Sequence, residues 1–206
     1  MLWSEIPLEE WIKKEYPKAL ETELPLIASI GFTPEEVEEI APKVAEAGVD
    51  AIELSTRHFL DDTSSVVEAV EAAKAEVDIP VFVKLGLQWD DLVGLSKEVE
   101  EVGADGIVAI NPVGPTLNVE VNTEKPILGS EKGRGWLSGA AIKPLALRAV
   151  ADIASAVDIP VIGTGGISDE RDVAEYLMVG ASAVQISTAA VIRGTKVFGL
   201  IADNPS

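Results

Sequence analysis

The chain has no cysteine, a single histidine and few basic residues, and each shortage removes a class of chemistry. Without cysteine there is no disulfide, no iron–sulfur ligation and no thiol catalysis within these residues, and the redox compartment stays open. No metal site is expected. No stretch approaches the ~20 apolar residues that a membrane span needs. The start, with Glu5, Glu9 and Glu10, does not read as a secretory signal, so a cytoplasmic location is expected by default. Positive charge is scarce: 16 Lys and Arg stand against 35 Asp and Glu, a net −19. Such a surface repels nucleic-acid phosphate and otherwise reads as a solvated acidic exterior. Linkers and low-complexity runs are missing too, so 206 residues predict one domain.

What is present repeats. Ala47-Gly48-Val49-Asp50-Ala51-Ile52-Glu53-Leu54 returns as Val102-Gly103-Ala104-Asp105-Gly106-Ile107-Val108-Ala109 and as Val179-Gly180-Ala181-Ser182-Ala183-Val184-Gln185-Ile186. Each copy reads as a helix ending at glycine, a tight turn and a buried strand. Val77-Asp78-Ile79-Pro80-Val81-Phe82-Val83-Lys84 returns as Val157-Asp158-Ile159-Pro160-Val161-Ile162-Gly163-Thr164. The strands are short, continuous and apolar, as in parallel sheets covered on both faces.

Strands are predicted near 25–30, 50–55, 80–85, 106–111, 159–164 and 183–188. Helices are predicted near 34–47, 64–76, 90–102, 143–156 and 169–179, the first opened by Thr33-Pro34-Glu35-Glu36. Six alternating βα units argue for an α/β fold, either a closed barrel or an open doubly wound sheet. Strand-end glycines and the lack of an early Gly-rich dinucleotide loop favour the barrel. The long segment near 111–137 reads as irregular, an insertion over the active face.

The densest signal lies in residues 137–189. Gly163-Thr164-Gly165-Gly166-Ile167 sits where an apolar strand gives way to the polar helix opening Ser168-Asp169-Glu170. Glycines there let backbone N–H groups approach an anion, and tight helix–strand packing could require them as well. Ser187-Thr188 closes the next strand, so two neighbouring strand ends form a candidate phosphate cradle.

Val83-Lys84-Leu85, Ala109-Ile110-Asn111, Leu137-Ser138-Gly139-Ala140-Ala141-Ile142-Lys143-Pro144, Gly163-Thr164-Gly165-Gly166-Ile167 and Ser187-Thr188-Ala189 together resemble the dihydroorotate dehydrogenases. The likeness is to their soluble class and to the related flavin domain of dihydropyrimidine dehydrogenase. It covers roughly residues 24–198. It implies an α/β fold of (β/α)8 TIM-barrel type, with FMN as cofactor and hydride transfer between flavin and a small, cyclic or carboxylated substrate. Pyrimidine metabolism and an oligomer are implied as well, either a homo-oligomer or a complex with an electron-transfer subunit. By the same resemblance, Lys84 and Asn111 contact the flavin ring, and Asn111 also the substrate. Ser138, Gly139, Gly163, Thr164, Gly165, Gly166, Ser187 and Thr188 bind the rest of the cofactor. Read without the resemblance, Lys84 could be a lysine snorkelling at a sheet edge and Asn111 a turn residue before Pro112.

Two departures stand out. In the family's soluble class the loop after the fourth strand reads roughly Asn-x-Ser-Cys-Pro-Asn, where cysteine is the base and the asparagines hold orotate. Here it is Ser55-Thr56-Arg57-His58-Phe59-Leu60. His58 falls on the base position with a suitable unperturbed pKa of about 6.5, and Ser55 and Arg57 become candidate substrate contacts. The alternative is a surface loop carrying an incidental histidine.

The second departure is length. About six βα units are visible at 24–198, behind a helical segment at 1–23, and the family's first two units are missing. Three explanations are open: a fragment of a longer protein, units supplied by a partner chain, or Met1–Leu20 capping the open side with Trp3, Trp11 and Tyr16. Outside flavin chemistry, the same cradle would suit a phosphate-binding isomerase, lyase or synthase. The altered loop would also suit a non-catalytic subunit of a flavoprotein complex.

Overall fold

The computed structural model describes residues 6–31, 33–56, 62–128, 130 and 132–202. The chain divides into two compact units, Met1–Leu85, Asp91–Val108 and Ala156–Pro160 in the first, and Gly86–Asp90, Ala109–Ser155 and Val161–Ser206 in the second.

The first unit opens with α1 (Leu8–Glu10), a π-helical turn (Trp11–Glu15) and α2 (Tyr16–Leu20), in which the Trp11 and Tyr16 rings lie 5.7 Å apart. Then come β1 (Ile27–Gly31), α3 (Pro34–Glu46), β2 (Ala51–Ser55), α4 (Thr63–Glu76), β3 (Val81–Leu85), α5 (Leu92–Glu101) and β4 (Gly106–Ala109, its last residue in the second unit). The strands lie in the order β1-β2-β3-β4, and β1 and β3 both run parallel to β2. Parallel neighbours need crossover connections, and the helices supply them. Thr33 and Glu36 close a reciprocal capping box on α3, as the Thr-Pro-Glu-Glu start predicts. Val37, Ala41 and Val44 of α3, Val66, Ala69, Val70 and Ala73 of α4, and Leu95 and Val99 of α5 form the buried helix faces. Their three- and four-residue spacings are those of a helix with one apolar stripe.

The three copies of the helix–glycine–strand repeat take the same backbone turn. Gly48, Gly103 and Gly180 have φ of 91°, 95° and 100°, a left-handed conformation that ends a helix at little cost only in glycine. Two residues later the first two copies place Asp50 and Asp105, whose carboxylates accept from Leu26 N and Val81 N, each at 2.7 Å. The aspartates thus fasten the chain at the entry to β1 and at the start of β3.

The second unit holds β5 (Val113–Leu117), β6 (Val119–Glu120), β7 (Lys125–Pro126), β8 (Arg134–Leu137), a 3-10 turn (Ala140–Ile142), α6 (Lys143–Ala154), β9 (Val161–Thr164), α7 (Glu170–Met178), β10 (Ala183–Gln185), α8 (Thr188–Arg193) and α9 (Lys196–Ala202). β9 and β10 pair in parallel. The predicted parallel strands and the helices of both units are all found, with ends shifted by a few residues. Residues 111–137 differ from the irregular insertion expected. They form two antiparallel pairs, β5 with β8 and β6 with β7. The pairing escaped sequence reading because β5 carries Gly114 and Pro115, residues depleted in strands, and its partner lies some twenty positions away.

Candidate functional site

In the second unit three segments meet around the glycine loop. The first is Ser138-Gly139 and the 3-10 turn behind it, the second is Gly165-Gly166 after β9, and the third is Ser187-Thr188 at the head of α8. Contact between them depends on missing side chains. A Cβ on Gly166 would lie 2.8 Å from both the Gly139 carbonyl oxygen and Lys143 Cβ, and one on Gly139 would lie 3.1 Å from Thr188 Cγ2. Gly165 and Gly166 also have φ of 131° and 77°. The glycines therefore serve tight packing, and their amides remain available, since neither donates to a described residue. The Thr188 hydroxyl donates to Ser138 Oγ at 3.0 Å, and Arg193 ties α8 back to the Ser168 carbonyl at 2.6 Å. Ser138 and Ser187 are exposed, and Gly165 and Gly166 are half-buried. Thr164 is buried at the base of the loop, and its carbonyl accepts from Ile110 N at 2.9 Å.

A charged cluster braces the loop. Asp172, on the first turn of α7, accepts from Ser168 N at 2.7 Å, Ser168 Oγ at 2.8 Å and Asp169 N at 3.2 Å. Lys143 reaches Asp172 at 2.6 Å and Glu175 at 2.7 Å. Burial pushes the Asp172 carboxyl up, but hydrogen bonds from Lys143 and Ser168, with the Lys143 charge, outweigh it and hold the group below its ordinary range. The same bonds from Asp172 and Glu175 raise Lys143 above the ordinary lysine range. Tyr176 is fully buried, and its hydroxyl donates to the Gly165 carbonyl at 2.6 Å. Burial, with a smaller contribution from the Asp172 charge, pushes its pKa up to about 12.

In the first unit the polar residues lie on one face of the sheet. Strand register places Ser55 beside Lys84 and Glu53 beside Phe82, so Glu53, Ser55 and Lys84 point the same way. Lys84 Nζ lies 3.2 Å from the Glu53 carboxylate, with side-chain exposures of 17% and 8%. That removes the snorkelling alternative, because β3 lies between β2 and β4 and the ammonium is paired below the surface. The Thr56 hydroxyl, fully buried, donates to the Lys84 carbonyl. Ser55 is buried beside it. Arg57 and His58 lie outside the described residues.

Asn111, in the second unit, is buried to 1% exposure and packs its Cβ 3.1 Å from where a side chain on Gly86 would begin. Of the residues picked out in sequence, Ser138, Gly139, Gly163, Thr164, Gly165, Gly166, Ser187 and Thr188 thus gather in the second unit, and Ser55 and Lys84 in the first. Sequence reasoning passed over Glu53, Asp172 and Tyr176. Only Glu53 carried a signal, as a lone acid inside the apolar run Ala51–Leu54, where a buried charge demands a partner. It also passed over a groove walled by Pro115, Lys132, Arg134 and Trp136, whose two cations pair with no described acid.

Comparison with known proteins bears on the family and the fold. The profile of the family described as Dihydroorotate dehydrogenase matches residues 54–204. The chain is 39% identical over 196 residues to the dihydroorotate dehydrogenase B (NAD(+)) catalytic subunit of Methanothermobacter thermautotrophicus, covering 90% of this chain and 64% of that one. To the subunit of the same name from Pyrococcus abyssi it is 41% identical over 209 residues, covering 97% and 67%. To that of Pyrococcus horikoshii it is 44% identical over 186 residues, covering 85% and 60%. The chain thus spans about two thirds or less of the length of these relatives. A crystal structure of DHODH from Eimeria tenella in complex with ferulenol superposes with a TM-score of 0.73 at 21% identity, over 95% of this chain and 61% of that one, a likeness of fold. The fold is α/β of TIM-barrel type with six βα strands in view, and the chain belongs to the dihydroorotate dehydrogenase family.

Proposed function

We propose that this chain is an FMN-dependent oxidoreductase of dihydroorotate dehydrogenase type. Its second unit would hold the FMN phosphate on Gly165, Gly166, Ser187 and Thr188, with Ser138 and Gly139 against the ribityl chain and Gly163 and Thr164 beneath. The observation that carries this reading is the meeting of those three segments with two glycine amides uncommitted among the described residues. The residues fit the group. A phosphate needs N–H and O–H donors, and the one carboxylate bonded next to this loop, Asp172, is compensated by Lys143.

FMN, when bound, supplies a two-electron acceptor for hydride. By the family resemblance, Lys84 would supply a fixed cation for negative charge on the reduced ring. Asn111 would offer its amide to ring and substrate. The Thr56 hydroxyl is committed to the Lys84 carbonyl, so proton removal falls to another group. His58 is proposed as that base, with Ser55 and Arg57 holding the substrate.

The named relatives act on dihydroorotate, and we propose that small cyclic carboxylate as the substrate here. A catalytic subunit of NAD(+)-linked type also points to a complex with an electron-transfer subunit. These 206 residues hold no cysteine, so an iron–sulfur relay would lie outside them.

The test is direct. Purified protein titrated with FMN should show flavin absorption near ~450 nm and quenched flavin fluorescence, and anaerobic dihydroorotate should bleach the band. Binding of inorganic phosphate without any affinity for FMN would instead support a flavin-free phosphate enzyme.

A further inference from the structure

The peptide between Gly165 and Gly166 is held from one side only. Its carbonyl accepts from the Tyr176 hydroxyl at 2.6 Å. Among the described residues the cis peptides are Ala109-Ile110 and Gly114-Pro115, so this one is trans. In a planar trans peptide the C=O and the following N–H point in opposite directions. Fixing the Gly165 oxygen toward the buried ring of Tyr176 therefore turns the Gly166 N–H away from α7. That amide donates to no described residue. Two glycines in succession form the segment least able to hold such an orientation unaided, because glycine has the widest backbone freedom.

The ring itself is fixed. Tyr176 is fully buried, and a Cβ on Gly163 would lie 2.3 Å from its Cδ1, so the ring packs tightly against the end of β9. Its helix is anchored at the other end by Asp172, bonded to Ser168 and Asp169 just past the loop. The hydroxyl is thereby presented to Gly165 by a rigid support.

We propose that Tyr176 is a positioning residue for the anion cradle, orienting the Gly166 amide toward the FMN phosphate through the Gly165 carbonyl. The proposal rests on the FMN reading above. A buried tyrosine also hydrogen-bonds simply because burial demands it, so the test must separate orientation from stability.

Tyr176→Phe keeps the ring and removes only the hydroxyl. Dissociation constants for FMN and for riboflavin, which lacks the phosphate, are measured by flavin fluorescence on the full chain and the variant. The wild type should prefer FMN. In Tyr176→Phe, FMN binding should weaken about tenfold, the scale of one oriented hydrogen bond, with riboflavin unchanged. A loss shared equally by both ligands, or an unchanged preference, overturns the positioning role. A wild type with no preference for FMN overturns the phosphate reading and the proposal with it. Should Tyr176→Phe fail to fold, the wild-type Gly166 amide resonance decides. It must shift on adding FMN and not riboflavin, and a resonance indifferent to FMN overturns the proposal.

Discussion

Glu53 and Lys84 form an ion pair across adjacent parallel strands, 3.2 Å apart and both largely shielded from water. A lysine beside a flavin ring favours the reduced, more negative state, and a carboxylate behind it offsets part of that effect. Glu53→Gln is expected to raise the two-electron midpoint potential of bound FMN by roughly 30 mV, the equivalent of about 1.4 kcal/mol. Lys84→Met should lower it. Redox titration against indicator dyes measures both, and shifts of the same sign would show that Lys84 does not act on the ring through its charge.

The brace beneath the glycine loop should be visible as a pH-dependent stability. Asp172 is held below its ordinary value of 3.8, so its contribution is present above that pH and is lost as pH falls through the folded-state value. Lys143 is raised above 10.5, so its contribution is present below that pH and is lost as pH rises through the folded-state value. Asp172→Asn should therefore cost about 2 kcal/mol in urea unfolding at pH 7, and the gap to wild type should narrow at pH 3. A gap of equal size at both pH values would mean that the loss is one of packing rather than ionisation.

Gly163 and Gly194 separate two reasons for glycine. A Cβ on Gly163 would strike Tyr176 Cδ1 at 2.3 Å, whereas at Gly194, with φ of 75°, nothing lies within 4 Å. Gly163→Ala is expected to destabilise by roughly 1–3 kcal/mol through overpacking and to disturb FMN binding by displacing the tyrosine. Gly194→Ala should cost only the backbone strain, roughly 1–3 kcal/mol, and leave FMN affinity intact. Thermal unfolding with flavin titration resolves the two, and equal effects on affinity would refute the distinction.

These contrasts show what could be read from sequence. Strand β9 was legible because Val161-Ile162 is an apolar pair bounded by Pro160 and by glycines, and the helices because their apolar spacing is local. The phosphate cradle was legible as a motif because its residues are contiguous in short blocks. The Glu53–Lys84 pair was not, since it joins positions 31 apart through strand register. Tyr176 was passed over, since an aromatic on an amphipathic helix carries no local sign of a polar task. Its hydroxyl finds Gly165 only after α7 has docked on β9, and no spacing rule encodes that contact. The β5–β8 pair failed for a different reason: glycine and proline masked a strand that tertiary pairing stabilises.

His58 carries the sharpest functional expectation that sequence alone supports. If it takes the substrate proton as hydride leaves, His58→Ala should slow flavin reduction by dihydroorotate at least ~100-fold, the usual scale of general-base catalysis. FMN affinity should not change, because the phosphate donors proposed here lie on Gly165, Gly166, Ser187 and Thr188. In the wild type the reductive half-reaction should slow on the acid side, where an imidazole becomes protonated and can no longer accept a proton. Stopped-flow reduction across pH 5–9 tests both features together. An unaltered rate in His58→Ala, or a wild-type profile with no acid-side fall, would move the base elsewhere. Ser55 would then be the next hydroxyl to replace, since it stands beside Lys84 in the strand register while Thr56 is spent on the Lys84 carbonyl.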